Sequence, residues 1–264
     1  MITRLITGSI LFVICSSCIL LGGYYFLGLV VVSTLIALYE LIKMSAPTQL
    51  KTAYLPMAAM MGALLLLAYF KPLLFNFWGI EILILFTLIL MGKELICKSL
   101  SFQNPIYLRY LRAVLILSAT CPFLILIRNS PDGIIWTLYC LLIIAASDSF
   151  ALFGGRLYGK HPLTTISPKK TREGSLTGLL MSGVCSMAFM TILPIHPIGL
   201  FGLGVVVSLF AQLGDLHESL TKRVYQVKDS SNLLPGHGGF YDRLDSYLMV
   251  LPVVYYLVYG GIWL

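Results

Sequence analysis

The chain has 264 residues, of which 58% are hydrophobic and 11% are charged, and its mean hydropathy is +0.91. A soluble domain carries about a quarter charged residues, so a water-soluble globule is excluded. Disorder is excluded as well, because it requires low hydrophobicity and high charge. The formal net charge is +7, from 18 basic and 11 acidic residues. The composition therefore predicts an integral membrane protein with an excess of positive charge.

Continuous apolar runs predict an all-α polytopic protein. Helices and closed barrels are the only structures that span a bilayer, and these runs do not alternate as barrel strands do. A spanning helix needs about 20 mostly apolar residues. Nine runs meet this description. The first two meet at Gly22-Gly23, where either a tight turn or one long helix is compatible with the sequence. The predicted spans are 5–22, 24–42, 52–70, 73–91, 110–127, 133–153, 175–194, 198–214 and 246–264.

The basic residues predict the orientation of these spans, because Lys and Arg are retained on the cytoplasmic side. Lys71 and Arg128 fall on one side, and the other sixteen of the 18 fall on the opposite side. We therefore expect a protein of the cell (inner) membrane with its N-terminus in the cytoplasm and its C-terminus outside. The sixteen residues are Arg4, Lys43, Lys51, Lys93, Lys98, Arg109, Arg112, Arg156, Lys160, Lys169, Lys170, Arg172, Lys222, Arg223, Lys228 and Arg243.

The acidic residues are concentrated in the C-terminal half. We expect residues 1–140 to form a transmembrane scaffold and residues 141–264 to form a catalytic region with polar cytoplasmic loops. Because the basic residues are spread over short loops at one membrane face, nucleic-acid binding is not expected. Anionic headgroups of membrane lipids and anionic soluble substrates are the predicted partners. The acidic residues of the second half are Asp148, Glu173, Asp215, Glu218, Asp229, Asp242 and Asp245.

The first polar stretch begins at Asp148, near the cytoplasmic end of the sixth predicted span. Ionisable residues at membrane depth are functional candidates. Two interpretations are open: pairing with a nearby Lys or Arg, or binding of a cation or substrate. The run from Gly154 to Lys160 fits the first seven positions of a P-loop. However, His161 replaces the hydroxyl residue that binds Mg²⁺, and the run follows a membrane helix, so a P-loop is rejected. Its glycines are predicted to end the helix.

The segment 167–175 predicts a cradle for a polyanion, because it holds three cations and three hydroxyls between two helices. Lysine supplies a point charge, and arginine can bind phosphate through two parallel hydrogen bonds. The alternative is a basic anchor that only meets anionic lipid. The Ser, Thr and Glu residues in the same segment weigh against that alternative.

A second polar stretch continues the eighth span through Gln212–Arg223 as a helix. At helical spacing Asp215, Ser219 and Lys222 fall on one face. An acid, a hydroxyl and an ammonium on that face can hold a metal ion and the phosphates that it bridges.

Asp242 and Asp245 lie one turn apart at the start of the ninth span. Carboxylates from two helices at a membrane surface suit Mg²⁺, which prefers oxygen ligands and is shared with substrate phosphates. Helix capping is the alternative for Asp242. Zinc bound by His217 and His237 is rejected, because a third nitrogen or sulfur ligand is missing from the sequence around them.

The segment 219–245 resembles the C-terminal motif of the phosphatidate cytidylyltransferases, also called CDP-diacylglycerol synthases. The stretch 148–174 resembles the upstream block of the same family. The C-terminal motif runs Ser, two residues, Lys-Arg, four residues, Lys-Asp, and then a short stretch to His-Gly-Gly, Asp-Arg and a final Asp. Here these positions are Ser219, Lys222, Arg223, Lys228, Asp229, His237, Gly238, Gly239, Asp242, Arg243 and Asp245.

The resemblance implies transfer of the cytidylyl group of CTP to phosphatidic acid, with release of pyrophosphate, in phospholipid biosynthesis. It implies that Asp215 and Asp242 hold Mg²⁺ with Asp245 in reserve, and that a second cation such as K⁺ binds at the Asp pair. Lys222 is expected to meet the phosphates, with Ser219 beside it. The further residues expected at the nucleotide are Arg156, Lys170, Thr171, Arg223, Lys228 and His237.

Two other functions remain open from the sequence. One is a related CTP-dependent lipid-modifying enzyme, either a cytidylyltransferase for another lipid phosphate or a lipid kinase. The other is a transporter, whose acidic residues should line a path through the midplane. Here nearly all of them cluster at one face, and Glu81 alone is expected deep in a span, 73–91, which argues against a transport pathway. A homo-oligomer is compatible with the sequence.

Overall fold

The computed structural model describes residues 2–45, 50–75, 78–101, 103, 106–236 and 238–260. In these ranges the chain forms helices joined by turns, which confirms the all-α prediction. The 3₁₀-helix Ala188–Thr191 follows α9 directly. The α-helices are α1 (Ile2–Leu21), α2 (Gly23–Ser45), α3 (Leu50–Phe70), α4 (Pro72–Phe75), α5 (Trp78–Cys97), α6 (Ile106–Ser118), α7 (Pro122–Asn129), α8 (Gly133–Tyr158), α9 (Arg172–Met187), α10 (Pro197–Val224) and α11 (Tyr241–Tyr259).

Five helical segments of the described chain are long and apolar enough to cross a membrane. Two shorter apolar helices cover Ile6–Leu21 and Tyr54–Phe70. These helices are those of a membrane protein, as the composition predicts. The five segments are Gly23–Ser45, Ile106–Asn129, Gly133–Tyr158, Arg172–Thr191 and Pro197–Val224.

The span predicted at 110–127 lies within the candidate span Ile106–Asn129, but it is not one unbroken helix, because α6 ends at Ser118 and α7 begins at Pro122. Proline has no N–H and a fixed φ, so it is tolerated at the start of a helix, where the amide has no helical partner. The apolar run continues through this break, which is why hydropathy alone did not reveal it.

The helix bounds near the span predicted at 73–91 also differ from the prediction. The first residues of this span belong to the short helix α4, and the long helix α5 runs from Trp78 to Cys97. Glu81 therefore lies in the first turn of α5, where its side chain is exposed. The expectation that Glu81 lies deep in a span stays a prediction. A carboxylate at this position is favoured by the positive end of the helix dipole.

Other helix boundaries follow the polar residues. α11 begins at Tyr241, five residues before the predicted span. Its first turn therefore contains Asp242 and Arg243 of the motif. α10 continues to Val224, which confirms the predicted helical extension. Of the two alternatives between α1 and α2, the structure has the turn, since Gly22 and Gly23 have φ of +65° and +50°.

The chain divides into two compact units. The first comprises Met1–Ile134 and Leu220–Leu244. In it the guanidinium of Arg112 donates to Glu94 at 2.9 Å and to the Thr221 hydroxyl at 3.1 Å, and the Arg112 and Glu94 side chains are almost fully buried. Arg112 thus forms a buried ion pair with Glu94 within this unit. From the sequence, Arg112 was interpreted only as one of the basic residues that mark the cytoplasmic side.

The second unit comprises Ile135–Ser219 and Asp245–Leu264. Buried hydroxyls join its helices: Tyr139 and Ser186 are 2.6 Å apart, and Ser147 and Ser208 are 2.7 Å apart. Hydroxyl pairs of this kind stabilise the association of helices in a membrane, where apolar burial between helices gives little driving force. They hold α8 against α9 and α10, the helices that carry the polar residues described next.

Candidate active site

A cavity of about 270 Å³ opens in the second unit between α8, the start of α9 and α10, and we call it the α8–α9 cavity. It brings together residues of both polar stretches that were predicted separately. The exposed residues Asp148 and Arg156 both line it. The full lining is Asp148, Ala151, Leu152, Gly155, Arg156, Leu163, Lys169, Lys170, Thr171, Ser175, Gln212 and Asp215.

Glycines allow α8 and α9 to approach closely beside the cavity. A Cβ on Gly174 would lie 2.5 Å from the Ala151 carbonyl oxygen and 3.0 Å from the Gly155 Cα. Gly154 and Gly155 lie within α8, which continues to Tyr158. The prediction that the glycines of this run end the helix is therefore wrong for Gly154 and Gly155, whereas Gly159 directly follows the last residue of α8, as predicted. The role of Gly154 and Gly155 is packing against α9.

Replacing Gly174 with alanine is expected to destabilise the protein by about 1–3 kcal/mol, because backbone atoms of α8 must move to accommodate the new methyl group. Thermal unfolding in detergent measures the change. Gly62→Ala is the matched control, since a Cβ on Gly62, within α3, meets nothing within 4 Å. An unfolding temperature for Gly174→Ala equal to that of Gly62→Ala would contradict the close-packing account.

The start of α9 presents one wall of the cavity. Thr171 caps the helix, because its hydroxyl accepts a hydrogen bond from the Gly174 N–H at 3.1 Å. Lys170, the residue before the cap, donates through its Nζ to the Asp215 carboxylate on α10. A helix N-terminus with a lysine beside it favours negative charge. This wall therefore suits a phosphate group.

Gln212 fixes α10 to the same wall. Its side-chain oxygen accepts a hydrogen bond from the Ser175 hydroxyl at 2.5 Å, and its nitrogen donates to the Ser175 carbonyl at 3.2 Å. Asp215 lies three residues further along α10. The two hydrogen bonds of Gln212 therefore help to place the Asp215 carboxylate at the cavity. Sequence analysis did not assign a role to Gln212, although it belongs to the polar end of α10.

Three carboxylates cluster on α10 and α11 within the second unit. Asp215, Glu218 and Asp245 each offer one oxygen, and these oxygens lie within 4.8 Å of one another. Glu218 is buried, whereas the other two are half-buried. Gly214 permits the approach, since a Cβ there would clash with the backbone of Asp245 and Ser246.

This cluster fits a divalent cation. Like charges at such separations repel, and a cation bound between the three oxygens would relieve that repulsion. Oxygen ligands from carboxylates are those that Mg²⁺ prefers. Glu218 was not predicted as a site residue. Its signal was present, because it lies three residues after Asp215, on the same side of α10.

A second group lies in the first unit, around residues 228–236 and 238–240, which precede α11 and which we call the α11 loop. Asp242 accepts hydrogen bonds from the N–H groups of Ser230 at 3.1 Å and Gly239 at 2.9 Å. Lys222 Nζ lies 3.3 Å from its Oδ1. Asp242 thus holds the loop against the start of α11. Its predicted role as a metal ligand stays a prediction.

The remaining predicted residues lie around these groups. A cavity of about 670 Å³ beside the α11 loop is lined by Lys228 and Arg243, among others. Arg223 is exposed near the end of α10, and Ser219 is half-buried on the same helix. His237 lies outside the described residues.

Residues 2–260 match the sequence pattern of the cytidylyltransferase family. The chain belongs to the cytidylyltransferase family. It is similar to the phosphatidate cytidylyltransferase of Bacillus subtilis (35% identity, covering 97% of this chain and 96% of that one). It is also similar to that of Staphylococcus haemolyticus (33% identity, covering 95% and 96%). The phosphatidate cytidylyltransferase of Staphylococcus aureus is 41% identical over 135 residues. These comparisons confirm the family resemblance seen in the two motifs.

In this member of the cytidylyltransferase family, the two motifs are divided between the two units. Residues of the upstream motif line the α8–α9 cavity together with Gln212 and Asp215, which precede the C-terminal motif on α10. The middle of the C-terminal motif forms the α11 loop with Lys222 and Asp242. Each polar group thus has a defined position, from which a role in cytidylyl transfer can be argued.

Proposed function

We propose that the chain transfers the cytidylyl group of CTP to phosphatidic acid, giving CDP-diacylglycerol and pyrophosphate. The relatives named phosphatidate cytidylyltransferase cover nearly the whole chain, which supports this enzyme activity in phospholipid biosynthesis. The observation that carries the proposal at the site is the α8–α9 cavity. It places Lys170 at the N-terminus of α9 and Arg156 at the end of α8, and its lining includes Asp215 of the acidic cluster that fits a divalent cation.

The α8–α9 cavity is the proposed site of the CTP triphosphate. Lys170 holds a point charge beside the start of α9, and Arg156, which also lines the cavity, adds a guanidinium. Unpaired amides in the first turn of a helix bind phosphate oxygens and favour negative charge. These groups hold and orient the triphosphate. Asp215, through its ion pair with Lys170, directs that ammonium into the cavity.

Asp215, Glu218 and Asp245 are the proposed ligands of Mg²⁺. When bound, Mg²⁺ neutralises charge on the triphosphate and stabilises the pyrophosphate that leaves. The assignment of Asp242 as a ligand, and of a second cation such as K⁺, stays a prediction.

Lys222 is proposed to stabilise negative charge as pyrophosphate leaves, with Ser219 one turn before it on α10. The phosphate of phosphatidic acid is anionic and nucleophilic at neutral pH, so the reaction needs no general base. What remains for the protein is to position two polyanions and to stabilise the charge that develops, which is the usual demand of phosphoryl and nucleotidyl transfer.

We propose that the protein resides in the cell membrane with its catalytic loops at the cytoplasmic face. The one-sided distribution of basic residues supports a cytoplasmic N-terminus, nine spans and an external C-terminus. Phosphatidic acid would then enter laterally between helices with its headgroup at this face. A homo-oligomer is compatible with this arrangement.

Labelled CTP tests the reaction. Purified protein in detergent micelles with phosphatidic acid and Mg²⁺ should transfer label from the α-phosphate of CTP into the chloroform-soluble lipid, and label from the γ-phosphate should leave as pyrophosphate. Chelation of Mg²⁺ with EDTA should stop both. Label from the γ-phosphate in the lipid would instead indicate a CTP-dependent lipid kinase. Preference for another lipid phosphate, in a panel with lysophosphatidic and isoprenyl phosphates, would change the proposed acceptor.

A further inference from the structure

Glu40 on α2 is a buried carboxylate that binds the α11 loop. It is 1% exposed, although it lies in a helix apolar enough to cross a membrane. Its Oε2 accepts hydrogen bonds from the Ser230 hydroxyl at 2.9 Å and the Tyr241 N–H at 2.8 Å. Its Oε1 accepts from the Ser231 hydroxyl at 2.5 Å and the Phe240 N–H at 3.0 Å. Four donors thus converge on one side chain about 200 residues away in the sequence.

These donors explain how a carboxylate is retained in this position. Burial of an ionised carboxylate costs several kcal/mol unless hydrogen bonds replace its hydration. Here two hydroxyls and two backbone amides supply the bonds. The amides of Phe240 and Tyr241 lie at the start of α11, where N–H groups have no helical partner and the helix dipole favours negative charge. Glu40 therefore fixes both the loop and the first turn of the helix.

Glu40 and Asp242 are joined through the same loop residues. Ser230 donates its hydroxyl to Glu40 and its N–H to Asp242. Gly239 donates its N–H to Asp242, and a Cβ on Gly239 would lie 2.6 and 2.7 Å from the two oxygens of Glu40. The Glu40 carboxylate therefore packs directly against the two loop residues whose N–H groups hold Asp242. Asp242 is in turn the partner of Lys222.

We propose that Glu40 is a positioning residue for the cytidylyl transfer, acting through the α11 loop on Asp242 and Lys222. The proposal rests on the proposed function, because it assigns Lys222 to the reacting phosphates. Glu40 itself does not contact substrate in this scheme. Its role gives the N-terminal helices a part in catalysis beyond that of a scaffold.

Glu40→Gln is the most direct variant, because it keeps the shape of the side chain. One of its two terminal atoms becomes an NH₂ donor that must face either the Tyr241 N–H or the Phe240 N–H. Serine hydroxyls can rotate to accept a bond, but a backbone N–H cannot. We expect kcat to fall about 100-fold, since misplacement of a catalytic group by about 1 Å has an effect of this size. KM for CTP should change by less than about threefold, because the loss lies in the transition state.

Ser33→Ala is the matched control on the same helix. The buried Ser33 hydroxyl donates to the Val30 carbonyl at 3.0 Å, within α2 itself. Its loss should leave kcat at the wild-type value. A milder variant, Ser231→Ala, removes one donor to Glu40 and should lower kcat by about three- to tenfold, about the net value of one such hydrogen bond. Wild-type kcat in both Glu40→Gln and Ser231→Ala would overturn the proposal.

Hydrogen exchange and a double-mutant cycle separate positioning from general destabilisation. In Glu40→Gln, exchange at the amides of Phe240 and Tyr241 should accelerate more than exchange in α3. Ser230→Ala combined with Glu40→Gln should lower kcat by less than the product of the single effects, because both variants break the same link. Multiplicative effects, or exchange that accelerates equally in α3, would overturn the proposal. The exchange measurement needs no substrate, so it decides the role of Glu40 at the loop even if the transfer reaction itself fails.

Discussion

Lys222→Ala is expected to lower the rate of cytidylyl transfer by about 10²–10³-fold, or about 3–4 kcal/mol of transition-state stabilisation. Lys222 is a cation on α10 whose side chain is 17% exposed, and it is held against Asp242 at 3.3 Å. A charge fixed in this way needs no reorganisation when the phosphate charge develops, which is why such groups contribute strongly to catalysis. The decrease should appear in kcat and in kcat/KM alike. Initial rates with labelled CTP measure both.

Two further variants show whether the rate loss comes from the charge of Lys222. Lys43→Ala removes an exposed lysine from α2 in the same unit and should keep the wild-type rate. Lys222→Arg keeps the charge and should recover part of the activity. Rates are compared after thermal unfolding in detergent shows that each variant is folded, because Lys222→Ala also removes the cation from Asp242. If only KM for the lipid changed, Lys222 would be a docking residue rather than a catalytic one.

The hydrophobic pattern predicted the class of fold because helices in a bilayer must satisfy their own backbone groups, so a long apolar run has few alternatives. It could not predict where a helix breaks inside such a run. The break before Pro122 is hidden by apolar neighbours, and the start of α5 at Trp78 is displaced from the start of the apolar run. Boundaries with a polar signal, such as the cap at Thr171, are marked in the sequence itself.

The spacing of residues along a helix identified part of the candidate site. It could not identify contacts between residues that are far apart in the sequence. Asp215 and Glu218 share a face of one helix, so their proximity was within reach of the sequence. Glu40 was not, because periodicity carries no information about a partner about 200 residues away. Arg112 and Glu94 show the same limit. The sequence placed Arg112 as a charge of one membrane face, whereas the structure pairs it with Glu94 in the interior of the first unit.

Asp215→Asn is expected to abolish Mg²⁺-dependent transfer, with a decrease on the order of 10³-fold. Asp215 is one of three carboxylates whose oxygens lie within 4.8 Å, and loss of one charge weakens the attraction of the cluster for a divalent cation. The same substitution removes the partner of Lys170 at the cavity. Transfer rates across a Mg²⁺ titration measure the effect. Asp132→Asn is the matched control, because Asp132 is exposed in a turn at φ +54°, a conformation that asparagine also adopts.

Glu218→Gln separates the two roles of Asp215, since the ion pair with Lys170 is formed by Asp215. If the cluster holds the cation, Glu218→Gln should raise the Mg²⁺ concentration for half-maximal rate by about 10–100-fold. Binding of Mn²⁺ to the protein without CTP, followed by electron paramagnetic resonance, should weaken in parallel. Loss of activity in Asp215→Asn with unchanged cation dependence in Glu218→Gln would assign Asp215 to the orientation of Lys170 alone. Gly214 permits α10 and α11 to lie close enough for the three carboxylates to cluster. The Mg²⁺ dependence of the two variants decides whether this close packing of the helices forms a metal site.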